Sequence, residues 1–145
     1  MNVWSGTIDV ETRGGGQVVD LTPRIEALLS GWGIEEGNGT LFVPGSTAAI
    51  TTIEFEPGVV RDLQELLERL VPRGARYHHD AAWGDGNGYA HVRAALIGPG
   101  LAFLVRRGRL VRGTWQQVVL CDFDNRARQR RVEVQVIGRP RGREG

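Results

Sequence analysis

The chain has 145 residues, 24% of them charged, and a formal net charge of +1; that length supports one domain with its own core, without metal or disulfide staples. All 18 basic residues are arginine, which excludes lysine chemistry such as Schiff-base catalysis, and the single cysteine, Cys121, excludes an internal disulfide. No apolar run approaches the roughly 18 residues of a membrane span, and the first residues lack the pattern of a secretory signal, so a cytoplasmic location and no membrane partner are expected.

Residues 4–12 alternate, with Ile8 and Val10 set between Thr7, Asp9 and Glu11, and read as a strand. The glycines at 14–16 read as a turn and residues 17–21 as a second strand, so a hairpin is expected. Thr22 is placed to cap a helix that Pro23 opens, with Ile25, Leu28, Leu29 and Trp32 at helical spacing. Residues 40–44 and 48–54 read as strands flanking Gly45, Ser46 and Thr47. A second helix starts at Glu56 and Pro57 and carries the clearest amphipathic stripe, Val59, Val60, Leu63, Leu66, Leu67 and Leu70. From Tyr89 onward the pattern is β only: residues 89–97, 101–105, 109–111, 114–123 and 130–137 read as strands. In the last of these, Val132, Val134 and Val136 share one face. Two helices among strands that gather late predict an α+β fold with largely antiparallel sheets. Residues 139–145 read as a disordered tail. No glycine-rich nucleotide motif follows a strand, which argues against a doubly wound fold.

The charge is uneven. Residues 1–105 hold 7 Arg against 13 acids, net −6, and residues 106–145 hold 11 Arg against 4 acids, net +7. That asymmetry suits a phosphorylated small molecule, because guanidinium forks match phosphate oxygens. It also suits pairing between subunits. A nucleic acid is the least expected partner, since only the basic final third speaks for it.

All three histidines fall within residues 77–93, YHHDAAWGDGNGYAHVR. The turn at 85–88 reverses the chain, so His79 and His91 can approach each other. Two imidazoles and a carboxylate from Asp80, Asp85 or Glu54 would make a divalent-metal site with an open position; a hydrogen-bonded polar loop would use the same groups. In an extended segment His78 points away from His79. On a strand, His91 and Arg93 share a face and would meet either an anionic ligand or a neighbouring acid. Ser46 and Thr47 lie in a turn of the kind that can cradle phosphate, although most such turns cradle nothing. Gln116 falls on the face of Val118, Leu120 and Asp122, where its amide needs a protein or ligand partner. Cys121, in an apolar run, reads as a buried small hydrophobe.

Taken in order, GSTAAITTIEFEPGVVRDL, YHHD, DGNGYAHVRAALIGPGLAFLV and GRLVRGTWQQVVLCDFDNRARQRRVEVQVIG resemble the YjbQ-like family of small bacterial and archaeal proteins. The resemblance runs from about Thr7 to Gly138, consistent with a single domain over 1–138, and the GTWQ stretch at 113–116 is its most specific signature. It implies an α+β fold with mixed sheets, a homotrimer, and a pocket of His and hydroxyl residues at or near subunit contacts. It also implies a secondary thiamine-phosphate synthase activity, which joins a pyrimidine diphosphate to a thiazole phosphate and releases pyrophosphate. On that implication His79, His91, Glu54 and Gln116 are the catalytic candidates. His79 and His91 would also hold a divalent Mg or Zn, and Ser46, Thr47, Asp80, Arg93, Thr114 and Trp115 would bind the phosphorylated ligand. The alternatives are a metal-assisted hydrolase built on the same two histidines and a non-enzymatic ligand-binding trimer. The chain departs from the family pattern at Gly45, where many members carry histidine, and at Ile53 and Phe55, which flank Glu54 in place of asparagines.

Overall fold

The computed structural model describes residues 1–142. In chain order the elements are β1 (Asn2–Thr12), β2 (Gln17–Asp20), α1 (Thr22–Trp32), β3 (Ile34–Phe42), β4 (Ala48–Ile53), α2 (Pro57–Leu70), α3 (His78–Trp83), α4 (Gly88–Ile97), β5 (Gly100–Arg106), β6 (Arg109–Leu110), β7 (Gln117–Asp122) and β8 (Arg128–Pro140). A five-stranded sheet runs in the order β1-β8-β3-β5-β6 and a three-stranded sheet in the order β2-β7-β4. Every pairing in both is antiparallel. The mixed α+β class is therefore as expected, with four helices in place of two.

The core has two compartments on either side of the smaller sheet. Ile8, Val10, Leu41, Val132, Val134 and Val136 of the larger sheet meet Ile50, Val118 and Leu120 of the smaller one, and α1 closes the flank with Ile25 and Leu29. On the opposite face Ala49, Val119, Cys121 and Phe123 meet Leu67 and Val71 at the end of α2 and Tyr89, Ala90 and Ala94 of α4. Strand β7 is thus buried on both faces, which is why residues 118–121 are apolar without alternation. Cys121 is fully buried as expected, and burial pushes its thiol up to about 12, so it is inert as a nucleophile at neutral pH.

Several local expectations are corrected. Strands β1 and β2 do not form a hairpin: β1 pairs with β8 and β2 with β7, so the glycines at 14–16 carry the chain from one sheet to the other. Gly14 (φ 73°) runs so close to the Asp124 and Arg126 carbonyls that a Cβ there would clash. Thr22 is the first helical residue rather than the cap, and its Oγ1 accepts from the Val118 amide at 2.8 Å. Glu56 does cap α2, its carboxylate accepting from the Gly58 and Val59 amides. Residues 89–97 are helix α4, not a strand, and residues 114–116 are an exposed turn before β7. Strand β8 extends to Pro140, and the Arg141 amide donates to the Gly33 carbonyl, so residues 139–141 belong to the fold; residues 143–145 of the expected tail lie outside the described residues.

Candidate functional site

The two histidines come together through a pair of helices rather than a strand reversal. Tyr77, extended, starts α3, and Gly84 (φ 72°) ends it in the left-handed conformation that favours glycine. Four residues later the chain enters α4. Gly88, at its start, leaves no room for a side chain: a Cβ would stand 2.6 Å from that of Tyr77 and 3.1 Å from Asp80 Oδ1. The close approach lets the Gly88 amide donate to Asp80 Oδ1 at 2.9 Å, tying α3 to α4. His79 of α3 and His91 of α4 then stack, with ring centroids 4.3 Å apart and planes tilted by 37°. The same Asp80 oxygen lies 3.4 Å from His79 Nδ1. His78, the next residue back, is exposed; it lines a cleft of about 520 Å³ with Arg76, Tyr77 and Asp80.

Beneath the pair lies a buried polar network. Asp122 and Asp124 are both fully buried. Arg130 grips Asp122 with Nε at 2.8 Å from Oδ2 and Nη2 at 2.9 Å from Oδ1, and Thr12 Oγ1 donates to the same carboxylate. Asp124 accepts from Arg128 Nε at 2.8 Å, the Asn125 amide at 2.8 Å, Thr47 Oγ1 at 3.1 Å and Asn87 Nδ2 at 3.3 Å. Arg130 Nη2 donates to Thr47 Oγ1 at 2.7 Å and so links the two carboxylates. Burial pushes Asp124 up, but the hydrogen bonds from Arg128, Asn125, Asn87 and Thr47 outweigh it and hold the carboxyl at about 2. In Asp122, burial likewise opposes the Arg130 and Thr12 hydrogen bonds, and the hydrogen bonds win, leaving it below the ordinary value. Burial is also the main influence on His91 and lowers its pKa, with the His79 charge adding to it; Asp124, Asp85 and Asp80 pull the other way and do not overcome them. His91 is accordingly an unprotonated base at neutral pH.

The remaining candidates divide between this end of the molecule and the other. Thr47 is buried in the network and Ser46 is exposed beside it. Arg93 is not on the histidine face. Two residues along a helix turn by about 200°, so His91 and Arg93 point to opposite sides. Arg93 is buried, donating to the Val71 carbonyl at 2.9 Å and to Glu68 Oε2 at 2.6 Å, and it joins α4 to α2 instead of meeting a ligand. Glu54 and the 113–116 turn lie at the far end of β4: Ala48 pairs with Asp122 but Ile53 pairs with Gln117. The intervening strand spans roughly 17–20 Å at about 3.3 Å per residue. Gln116, predicted on an apolar strand face, is exposed, with Nε2 3.3 Å from Thr52 Oγ1 and Oε1 accepting from the Gly113 amide. Arg112 Nη1 donates to the carbonyls of Gly113, Thr114 and Gln116, which fixes the turn and leaves Trp115 72% exposed. Within one chain, Glu54, Thr114, Trp115 and Gln116 therefore do not join the histidines.

Gly45 also has a local reason. Its φ of 127° strains any other residue, and a Cβ there would lie 3.1 Å from Arg130 Nη1. Sequence reasoning missed Asp122, Asp124, Asn87, Arg128 and Arg130. One signal was available: Arg130 shares the parity of Val132, Val134 and Val136, so the alternation that buries the valines buries it too.

The profile of the family described as "UPF0047 protein YjbQ-like" matches residues 6–139. The chain belongs to the YjbQ-like UPF0047 family. A UPF0047 protein of Methanothermobacter thermautotrophicus is 33% identical over 140 residues, covering 97% of this chain and 96% of that protein. YugU of Bacillus subtilis, another UPF0047 protein, is 30% identical over 134 residues, covering 91% and 98%. A YbjQ-like protein of unknown function from Sulfolobus solfataricus has a structure similar to this one at a TM-score of 0.86, with 30% identity over 95% of this chain and 100% of that one. Within this YjbQ-like chain, as in the expectation from sequence, the 77–91 segment gathers the histidines; the buried Asp122–Asp124 network that supports them is the added finding.

Proposed function

We propose that the His79–His91 pair is the proton-transfer centre of an enzyme acting on a small polar molecule. The stack of the two rings at 4.3 Å is the observation that supports this reading, and burial lowers the pKa of His91 and so favours its basic form. His91 takes a proton from the reacting group and His79, beside Asp80, receives or returns it. Among the described residues no group of three or more His, Cys, Asp or Glu side chains is arranged to hold an ion.

The synthase reaction implied by the family resemblance is one specific form of this activity and hydrolysis of a phosphorylated molecule another. They are separated by assaying pyrophosphate release from pyrimidine diphosphate plus thiazole phosphate, and phosphate release from either alone. In the assay that turns over, His91→Ala is expected to lower kcat/KM by about 10²–10⁴-fold while circular dichroism stays unchanged. Turnover equal to the parent protein's would end the proposal. We also propose the homotrimer, supported by the apolar residues that α2 and α4 leave exposed, Leu66, Leu70, Val92 and Leu96.

A further inference from the structure

The outer face of the larger sheet holds a cavity that the histidine pair does not use. Along β8, Arg139 is nine residues from Arg130, roughly 30 Å at about 3.3 Å per residue, so this end of the sheet is far from the network under the histidines. Two rows of paired residues build the cavity. In one, Ile137 of β8, Asn38 of β3 and Leu104 of β5 stand side by side. Ile137 and Leu104 are 47% and 48% exposed and rise on either side of the shorter Asn38. In the next row Arg139, Glu36, Arg106 and Arg109 lie opposite one another in turn. Both rows line a cavity of about 310 Å³, at the lower end of the roughly 300–1,000 Å³ of small-molecule sites.

The charges here do not balance. Arg106, Arg107, Arg109, Arg139 and Arg141 gather at this end of the sheet against Glu26, Glu35 and Glu36, five cations to three acids. Arg139 takes Glu36 at 3.0 Å, Arg141 lies 3.9 Å from Glu35, and Glu26 accepts from the Leu110 amide at 3.4 Å. Among the described residues no carboxylate pairs with Arg106, Arg107 or Arg109. Arg106 and Arg109 nonetheless stand directly opposite each other, and like charges so placed cost free energy. Between them Arg107 turns the hairpin at a φ of 53°, the one positive φ among the described non-glycine residues; glycine or asparagine takes that conformation more readily. An anion at this row would offset the repulsion.

We propose that the cavity binds a small amphipathic anion, a carboxylate or phosphate carried on a short apolar body. Arg106 donates to the anionic oxygens, since a guanidinium fork matches either group, and Arg109 and Arg139 add positive charge. The apolar body lies over Asn38, between Ile137 and Leu104. The next acid on this face, Glu133, is four residues along β8 from Ile137, roughly 13 Å away, too far to repel the anion strongly.

The test uses the full chain, labelled with ¹⁵N and titrated separately with phenyl phosphate, hexanoate, inorganic phosphate, hexylammonium and a short thymidine oligonucleotide. The Asn38, Leu104 and Arg106 amides report binding. Saturable shifts are expected with phenyl phosphate or hexanoate, weaker ones with inorganic phosphate and none with hexylammonium. Arg106→Gln, at an exposed position, should weaken the binding about tenfold or more, and Leu104→Ser should weaken it several-fold. Arg131→Gln, on the same face but paired with Asp9, should leave it unchanged. No saturable shift, inorganic phosphate or hexylammonium bound as tightly as phenyl phosphate or hexanoate, or unchanged binding in Arg106→Gln would each overturn the inference. So would tighter binding of the oligonucleotide, which would mark a nucleic-acid surface, or a lower sedimenting mass for Leu104→Ser, which would mean that another copy covers this face. The proton-transfer reading fails on a different result, unchanged turnover in His91→Ala, so the two can be judged apart.

Discussion

Asp122 and Asp124 are the residues on which both stability and the support of the histidine pair depend. A buried bidentate pair is worth little net, but removing one partner strands the other charge. Asp122→Asn leaves Arg130 8% exposed without its carboxylate, and it is expected to cost about 3–5 kcal/mol in urea denaturation at neutral pH. The acid dependence follows from Asp124. Its native pKa, about 2, is below the ordinary 3.8. The folded state therefore favours the ionised form, and this stabilisation is present above the ordinary value and lost as pH falls through about 4 to about 2. The urea midpoint of the parent protein should drop across that window, and Asp124→Asn should lack this part of the drop. These pairings join Thr12 to Asp122 and Thr47 to Asp124, residues 110 and 77 apart in sequence. No local pattern announces a contact at that distance; only the inward parity of Arg130 hinted that a buried acid must exist to meet it.

Among the helices, the one with an apolar stripe and a charged face was legible, and the ones without that contrast were not. Helix α2 keeps Arg61, Glu65 and Arg69 in solvent, and its 3.6-residue stripe and its start at Glu56 and Pro57 were legible; the capping role of Glu56 is a finding of the structure. Helix α4 buries Tyr89, Ala90, Arg93 and Ala94 while exposing Val92 and Leu96, so apolar residues lie all round it and the period is blurred. Ala90 and Ala94, four apart, are small enough to bring it down onto β4, a packing reason that sequence periodicity does not express. Helix α3 was missed for another reason: it has six residues and buries none of them. What holds it is the Asp80–Gly88 hydrogen bond and the histidine stack. Native-state hydrogen exchange should accordingly open α3 well before β7 and β8, whose amides lie in the core sheets. Protection of α3 equal to that of β7 would show that something further secures it.

For the whole molecule, the α+β class was legible in the sequence, but the division into two sheets was not. The divider is β7, whose two faces serve two separate core compartments. The surface carries its own expectation. Leu70 and Leu96 are 61% and 60% exposed, and apolar side chains left on two neighbouring helices are characteristic of a surface that a partner covers. Sedimentation should give the mass of three chains, and the double variant Leu70→Asp/Leu96→Asp should shift it toward one. A parent protein that sediments as a single chain would remove the homotrimer.

Strand β8 lies between β1 and β3, pairing its residues with both, although it is made of residues 128–140 and β1 of residues 2–12. During synthesis, then, β1 waits through more than a hundred residues for its neighbour, and β3 presents an open edge until the same strand arrives. The larger sheet cannot close on the ribosome while β8 is still in the exit tunnel. Nascent chains of this protein are therefore exposed to mispairing from the synthesis of β1 until that of β8, and the native sheet is completed only when β8 inserts between its neighbours.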